Sequence, residues 1–317
     1  MIDKVGFRIN VADCPEVADM RNVASDAIAG AGGTPECKIS KRTGGEYVKG
    51  SVLGMFLEAW AGHMLVSGSL PKYYYRGYGV LTLEGYRDAI QELSESLYLP
   101  IESLKRARVT LLEVYRDKVL PEAYSELEGR ISKLEGWQLQ KWEQGTRYYI
   151  SERAKPRNWK KQPKRVRIYD KRKELREVQK IQVDSELMRI EITLKGACLR
   201  RCGIETIRDV GTPEGWEALS KEIEGVMGDI TLYNDTMNDT QLMELANGAS
   251  KSIEMLALIK LAGGYDEAER IVKAMKAEGL ISANTYYKKI RLLKQALSDE
   301  MAEQSKSDPM LQALRGA

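Results

Sequence analysis

The chain has 317 residues, 43% hydrophobic and 30% charged, with a net charge of +3, a length that suits two modest domains or one large one. No window approaches the roughly 18 uninterrupted apolar residues of a membrane helix, and the start MIDKVGFRINVAD lacks the basic n-region and apolar core of a signal peptide. A soluble cytoplasmic protein without a membrane partner is therefore expected.

In chain order, MIDKVGFRIN reads as a strand, and ECKISKRTGGEYVKGSVLGMF as a hairpin around Thr43, Gly44 and Gly45. Between Thr82 and Tyr98, apolar residues at three- and four-residue steps (Leu83, Tyr86, Ile90, Leu93, Leu97) predict an amphipathic helix. Arg106 to Tyr115 reads as a strand, and Pro121 to Leu134 returns to helical spacing. TRYYIS, KRVRIYD and LMRIEITLK follow as three strands, the first two joined by a basic stretch as the loop of a long hairpin. Helices between antiparallel strands imply an α+β sheet with helices on one face.

After Gly211 the character changes. Thr212 caps a helix with Pro213 at its first position, and TPEGWEALSKEIEGVM, TQLMELA, SKSIEMLALIKLA, YDEAERIVKAMKAEG and ANTYYKKIRLLKQALSD all read as helical. The expected division is an α+β domain over 1–208 and an all-helical C-terminal domain over 209–317, serving DNA binding or oligomerisation.

Charge is unevenly placed. From Arg153 to Lys173, 11 of 21 residues are Lys or Arg, and Asp170 is the one acid. The run contains Trp159 and Tyr169 and leads into a strand, a pattern that suits tracking phosphates more than a solvated loop. Arg153, Arg157, Lys160, Lys161, Lys164, Arg165 and Arg167 are its candidate DNA contacts. Lys288 and Lys289, near Arg291 and Lys294, would add a basic helix face, although a solvated face fits them equally well. Tyr74, Tyr75 and Arg76 in PKYYYRGYG suit either base stacking or core packing.

The chemistry-bearing residues are few. The four cysteines (Cys14, Cys37, Cys198, Cys202) form no disulfide framework of the secreted kind, and no second Cys/His pair completes a zinc site. The one histidine, His63, rules out a His-Glu-x-x-His site; a lone histidine is more often structural. Glu191 sits mid-strand, sharing a face with Arg189 and Thr193. A carboxylate there is costly unless it pairs with an arginine or binds a cation. Carboxylate and imidazole together would suit Mg²⁺ or Mn²⁺. In KRVRIYD, Val166 and Ile168 point to one face and Arg165, Arg167 and Tyr169 to the other. Cations such as Lys171 and Lys173 would favour the Tyr169 phenolate, as a phosphate-attacking tyrosine requires. A divalent metal would take up charge on the phosphate oxygens. Spacing alone also leaves a packing residue or a stacking platform for a base open, and one tyrosine among sixteen is usually structural.

Five segments in order carry a resemblance: GHM at 62–64, RARVTLLE at 106–113, TRYYIS at 146–151, VRIYDKRKE at 166–174 and RIEITLKGACL at 189–199. With the start MIDKVGFRI, the series resembles the filamentous-phage gene II/X replication initiators, including the phage CRI replication proteins. It is similar, more distantly, to the Rep-trans rolling-circle plasmid initiators. The similarity runs through roughly the first 210 residues.

The resemblance implies an α+β domain related to HUH endonucleases, working in the cytoplasm of a bacterial host. It implies nicking of one strand at origin DNA, a covalent 5′-phosphotyrosine intermediate, and later rejoining of the displaced strand. Host helicase and replicative polymerase would be partners, and an oligomer is compatible with it. By the same resemblance Tyr169 is the nucleophile, Lys171 assists the phosphate, and His63 and Glu191 hold Mg²⁺ or Mn²⁺. The family's Arg-x-Asp element falls on Arg108-Val109-Thr110, so threonine replaces the expected aspartate while Arg108 remains a DNA contact. Glu113 or Glu174 would then supply the missing carboxylate, or the metal site is weakened; on a regular strand Glu113 points away from Thr110, so it could serve only with a bulge or a shifted register. A mobilisation relaxase and a catalytically silent origin-binding protein are the alternatives.

Overall fold

The computed structural model describes residues 1–143, 145–154, 159–232, 251–262, 264–304, 310 and 313–314. The elements begin with β1 (Ile2–Asn10), α1 (Met20–Gly30), β2 (Glu36–Ile39), β3 (Glu46–Val52), β4 (Met55–Trp60) and β5 (His63–Ser69). Next come α2 (Leu70–Tyr75), α3 (Leu83–Ser96), α4 (Ile101–Arg106), β6 (Arg108–Val119), α5 (Tyr124–Arg130) and β7 (Ile131–Leu134). Then follow β8 (Trp137–Glu143), β9 (Thr146–Ser151), β10 (Lys164–Asp170), α6 (Lys171–Glu174), β11 (Leu187–Lys195), α7 (Ala197–Arg201) and α8 (Ile207–Val210). The chain ends through α9 (Pro213–Gly228), β12 (Ile230–Leu232), α10 (Lys251–Ala262), α11 (Tyr265–Ala277) and α12 (Ala283–Gln304). The fold class is the expected one, an antiparallel sheet with helices and a helical C-terminal part.

Two compact units divide these elements. The first holds 1–116, 154–168 and 190–224; the second holds 117–153, 169–189 and 225–317. They differ from the two consecutive segments that the helical composition after Gly211 suggests, because β6, β10 and β11 each contribute residues to both.

In the first unit the strands run β2-β3-β4-β5-β1-β6-β11-β10. One sheet face is apolar. Val5, Phe7 and Ile9 of β1, Val109 and Leu112 of β6, and Met64 and Val66 of β5 are buried there, where α1, α2 and α4 pack on the strands. Ala24, Ala27 and Ile28 are the buried residues of α1 that complete this layer. Burial of this continuous apolar face is the main stabilising term for the unit. The opposite face carries Arg8, Thr110 and Phe56, all exposed.

Local chemistry sets the turns and caps. Thr82 Oγ1 accepts from Gly85 N at 3.0 Å at the start of α3, and Thr212 Oγ1 accepts from Gly215 N at 3.0 Å at the start of α9. Leu53 and Gly54, at φ 49° and 87°, form a two-residue left-handed turn between β3 and β4, which the sequence reading passed over.

The second unit contains the β8–β9 hairpin, the β7–β12 pair and the three helices α10, α11 and α12. Leu256, Ile259, Tyr265, Val272, Leu293 and Leu297 form the core of the three helices. Arg147 is buried and donates to the carbonyls of Ile131 at 2.8 Å and Glu128 at 2.7 Å. The helix expected over 121–134 stops at Arg130. Residues 131–134 are a strand because Leu134, Lys133 and Ile131 pair with Ile230, Thr231 and Leu232, a long-range pairing that overrides local spacing. The TQLMELA segment lies outside the described residues.

Candidate active site

In the first unit, three adjacent strands line up polar side chains on the face away from the helices. Arg165 Nη2 donates to Thr193 Oγ1 at 3.3 Å, and Thr193 Oγ1 donates to Glu113 Oε1 at 3.4 Å. Arg167 Nε donates to Glu191 Oε2 at 2.9 Å, and its Nη2 reaches the same oxygen. Numbers rise on β10 as they fall on β11, an antiparallel register that the Lys195 N to Pro163 O bond of 2.8 Å extends. Glu191 is 4% exposed, so its charge is desolvated, and the Arg167 guanidinium supplies the compensating charge and hydrogen bonds. Of the two partners left open for Glu191, the structure shows the arginine.

Glu113 joins this face through a bulge. Phe7 pairs with Val109 but Gly6 pairs with Leu111, so Thr110 is the extra residue. The alternation shifts by one, and Leu112 instead of Leu111 shares the apolar face with Val109. A Cβ placed on Gly6 would meet Thr110 Oγ1 at 3.3 Å. Thr110 and Glu113 therefore share a face that a regular strand would deny them. Burial, then the Glu191 charge, raises the Glu113 carboxyl above its ordinary range, while Lys4 and Arg167 pull it down.

The Tyr169 surroundings belong to the second unit. The β10–β11 register carried on by two residues sets Tyr169 opposite Arg189. Arg189 is 3% exposed and forms a bidentate pair with Asp117, with Nη2 to Oδ2 at 2.6 Å. Immediately after Tyr169, Asp170 Oδ1 accepts from Lys173 N at 2.8 Å and starts α6, whose first residue is Lys171. Lys171 is buried and paired with Glu174, which also accepts from Gln179 Nε2 at 3.0 Å. Burial, then Arg189, lowers the Lys171 pKa, with Glu174 and Asp117 opposing. Burial raises the Glu174 carboxyl, but Lys171 and Gln179 together bring it below its ordinary value. Tyr169 itself is 8% exposed. A buried lysine of lowered pKa, two residues from a phenol, can exchange a proton with an attacking or leaving oxygen.

His63 stands elsewhere. It pairs with Asn10 on β1, whereas Glu113 pairs with Lys4, a separation along the strand of roughly 20 Å at about 3.3 Å per residue. Glu191 lies farther still, because Thr193 is the β11 residue bonded to Glu113. The Mg²⁺ or Mn²⁺ ion expected of His63 and Glu191 has no position that both side chains reach. Among the described residues, no three His, Cys, Asp or Glu side chains gather as a cation site. Glu174, engaged with Lys171, does not complete one either. The expected ligand set does not fit this arrangement, because Arg167 already occupies Glu191 and the imidazole belongs to the other end of β5.

His63 is instead the last ring of a stack. Its centroid is 4.8 Å from Trp60 at an interplanar angle of 15°, and Trp60 is 5.3 Å from Tyr47 at 22°. Burial, then the Arg8 charge, lowers its pKa. Sequence reading missed this stack, although the signal was present: Tyr47, Trp60 and His63 fall on one face once β3, β4 and β5 are aligned.

The remaining expected DNA contacts are divided between the two units. Arg153 and Lys161 are exposed, and Lys164 pairs with Glu222 at 2.6 Å. Arg157 lies outside the described residues, and Lys160 lies in the short 3₁₀ turn Trp159–Lys161. Arg108 is exposed at the start of β6, opposite Arg8. On α12, Lys288 is exposed and Lys289 half-buried. Arg76 is engaged by Glu92 and the Tyr73 carbonyl, which speaks for a packing role.

No family model matches the chain, and no curated protein matches it. Among solved structures, a rolling circle replication initiator protein from Geobacillus stearothermophilus is similar at a TM-score of 0.38 and 13% identity, over 75% of this chain and 88% of that one.

Proposed function

We propose that the chain initiates rolling-circle replication by nicking and rejoining one DNA strand through Tyr169. The observation that carries this reading is the build of β10: Arg165, Arg167 and Tyr169 alternate on one face, and the next residue but one is the buried lysine Lys171. In the proposed step the Tyr169 phenolate oxygen attacks the scissile phosphorus. The P–O3′ bond breaks, the phenolic proton ends on the departing 3′ oxygen, and a 5′-phosphotyrosine ester forms. Because the ester keeps the bond energy, a later 3′ hydroxyl reverses the step and reseals the strand. Lys171, backed by Glu174, supplies positive charge and a transferable proton, and Arg189 adds a fixed charge opposite Tyr169. Origin DNA is the proposed substrate, and the ordered series of family-like segments supports it.

A second reading has its own support. Tyr169 is 8% exposed and Arg167 is paired with Glu191, as in a packed structural strand; the chain would then be an origin-binding protein without a covalent step. The test is detergent-stopped incubation with supercoiled origin DNA in Mg²⁺ and in Mn²⁺, for the wild type and Tyr169→Phe. A nick with a 5′ adduct, both lost in Tyr169→Phe, is the expected result. Salt-sensitive binding with no nick in either metal would replace the first reading by the second.

A further inference from the structure

The end of the first unit's sheet far from Glu191 carries two features that the proposed chemistry does not use. The first is the ring series Tyr47, Trp60 and His63, laid across β3, β4 and β5 at near-parallel angles. All three rings are half-buried, so part of each ring surface remains accessible. The series ends because the next strand, β1, offers Asn10 opposite His63. A planar ring added there would continue the stack at the same spacing.

The second feature is unanswered positive charge beside that point. Arg8 pairs with Arg108 directly across β1 and β6, an arrangement of like charges that is unfavourable until an anion relieves it. Arg106, Arg108 and Arg200 line a cavity of about 410 Å³. None of these three guanidinium groups has a hydrogen bond or an ion pair among the described residues. Asp13 and Glu205 also line it. Three guanidinium groups against these two carboxylates leave the lining net positive, and Asp13 accepts from Asn10 Nδ2 at 3.0 Å.

We infer that this end of the sheet is a binding track for single-stranded DNA, with one base stacked on the Tyr47–Trp60–His63 series over Asn10 and adjoining phosphates held by Arg8, Arg108 and the Arg106–Arg200 cavity. Single-stranded nucleic acid presents what both features need, free base faces and a phosphate at each nucleotide, whereas a duplex hides its base faces. The choice of DNA rests on the proposed function; the stacking surface and the arginine cavity do not.

The test is fluorescence anisotropy of a labelled 15-nucleotide oligo(dT) with the full chain over a series of salt concentrations. Oligo(U) and a duplex of the same length are parallel arms. His63→Ala should weaken oligo(dT) binding by about 5- to 100-fold, as loss of one base–aromatic stack predicts, and His63→Phe should restore most of it. Arg108→Gln should lower the slope of log K against log[salt] by about 0.7, one phosphate on a single strand. Lys221→Ala, on an exposed face of α9, should bind as the wild type does. Circular dichroism and melting of each variant separate lost binding from lost folding. Tighter binding of oligo(U) or of the duplex, or unchanged binding in both His63→Ala and Arg108→Gln, would overturn the inference. A covalent adduct at the origin without oligo(dT) binding would also overturn it while leaving the nicking reading intact. Oligo(dT) binding lost on these substitutions, with no adduct formed, would uphold the track and remove the nicking reading.

Discussion

Glu113 and Glu191 stand on one sheet face with three strands of cations around them, and the structure gives them different environments. Glu191 has Arg167 in direct contact. Glu113 has a threonine hydroxyl at 3.4 Å and feels Lys4 and Asp3 from β1, Arg167 from β10, and Glu191 from its own side of β11. Burial and the neighbouring carboxylate outweigh the cations, so its pKa is raised. The sign follows from linkage: the folded state holds the proton more tightly than the unfolded chain. Its contribution to stability is full below the ordinary carboxylate value near 4.5 and is lost as pH rises through the raised value. Glu113→Gln should therefore melt at the same temperature as the wild type in acid and at a higher one at pH 7. The gap should open above about pH 4.5. Equal melting temperatures at both ends of that range would show that the carboxylate is not under pressure. For Arg167→Ala the expectation is opposite at pH 7, a loss of about 1–3 kcal/mol for removing the partner of a buried carboxylate, read by denaturant unfolding.

The joint between α8 and α9 shows two effects in competition. Gly215 lies in the first turn of α9, where alanine would ordinarily gain about 1 kcal/mol in helix propensity. A Cβ at that position would lie 2.1 Å from the Asp209 carbonyl oxygen, and Thr212 fixes the approach. Its hydroxyl donates to that same oxygen at 2.7 Å and accepts from Gly215 N at 3.0 Å. Relieving such an overlap requires backbone movement, and overpacking of this kind costs about 1–3 kcal/mol or more, so the clash wins. Gly215→Ala should lower the melting temperature. Gly62→Ala, whose Cβ would meet nothing within 4 Å, is the matched control and should leave it nearly unchanged. The same joint marks what sequence could reveal about elements. Thr212 and Pro213 announced the helix start by their chemistry. The β10 alternation announced which residues share the Tyr169 face, because period two is a local property. The bulge at Thr110 was one of two open alternatives beside a shifted register, since its existence depends on how β6 meets β1 and not on β6 alone. His63 was misplaced for the same reason: its neighbour along the chain is Gly62, but its neighbours in space are Trp60 and Asn10.

The composition change after Gly211 is genuine, yet it does not mark where the contacts divide. The second unit draws on three separate stretches, and β7 depends on a strand almost a hundred residues later in the chain. Leu134, Lys133 and Ile131 find their pairing partners in Ile230, Thr231 and Leu232. A split between 208 and 209 removes α9, β12 and the three-helix cluster together, and leaves β7 with an unpaired edge. Arg147 aggravates this, because its buried guanidinium is held by the carbonyls of Ile131 and Glu128. Loosening β7 would leave a charge without acceptors. The fragment 1–208 should accordingly lack a cooperative unfolding transition for residues 117–153, and the amides of Ile131 to Leu134 should exchange with deuterium as fast as those of an unfolded peptide. In the full chain the same amides should be protected. Equal protection of residues 131–134 in fragment and full chain would mean that the first 208 residues stand as an independent domain, and that the helical part is an attachment and not a structural half of the second unit.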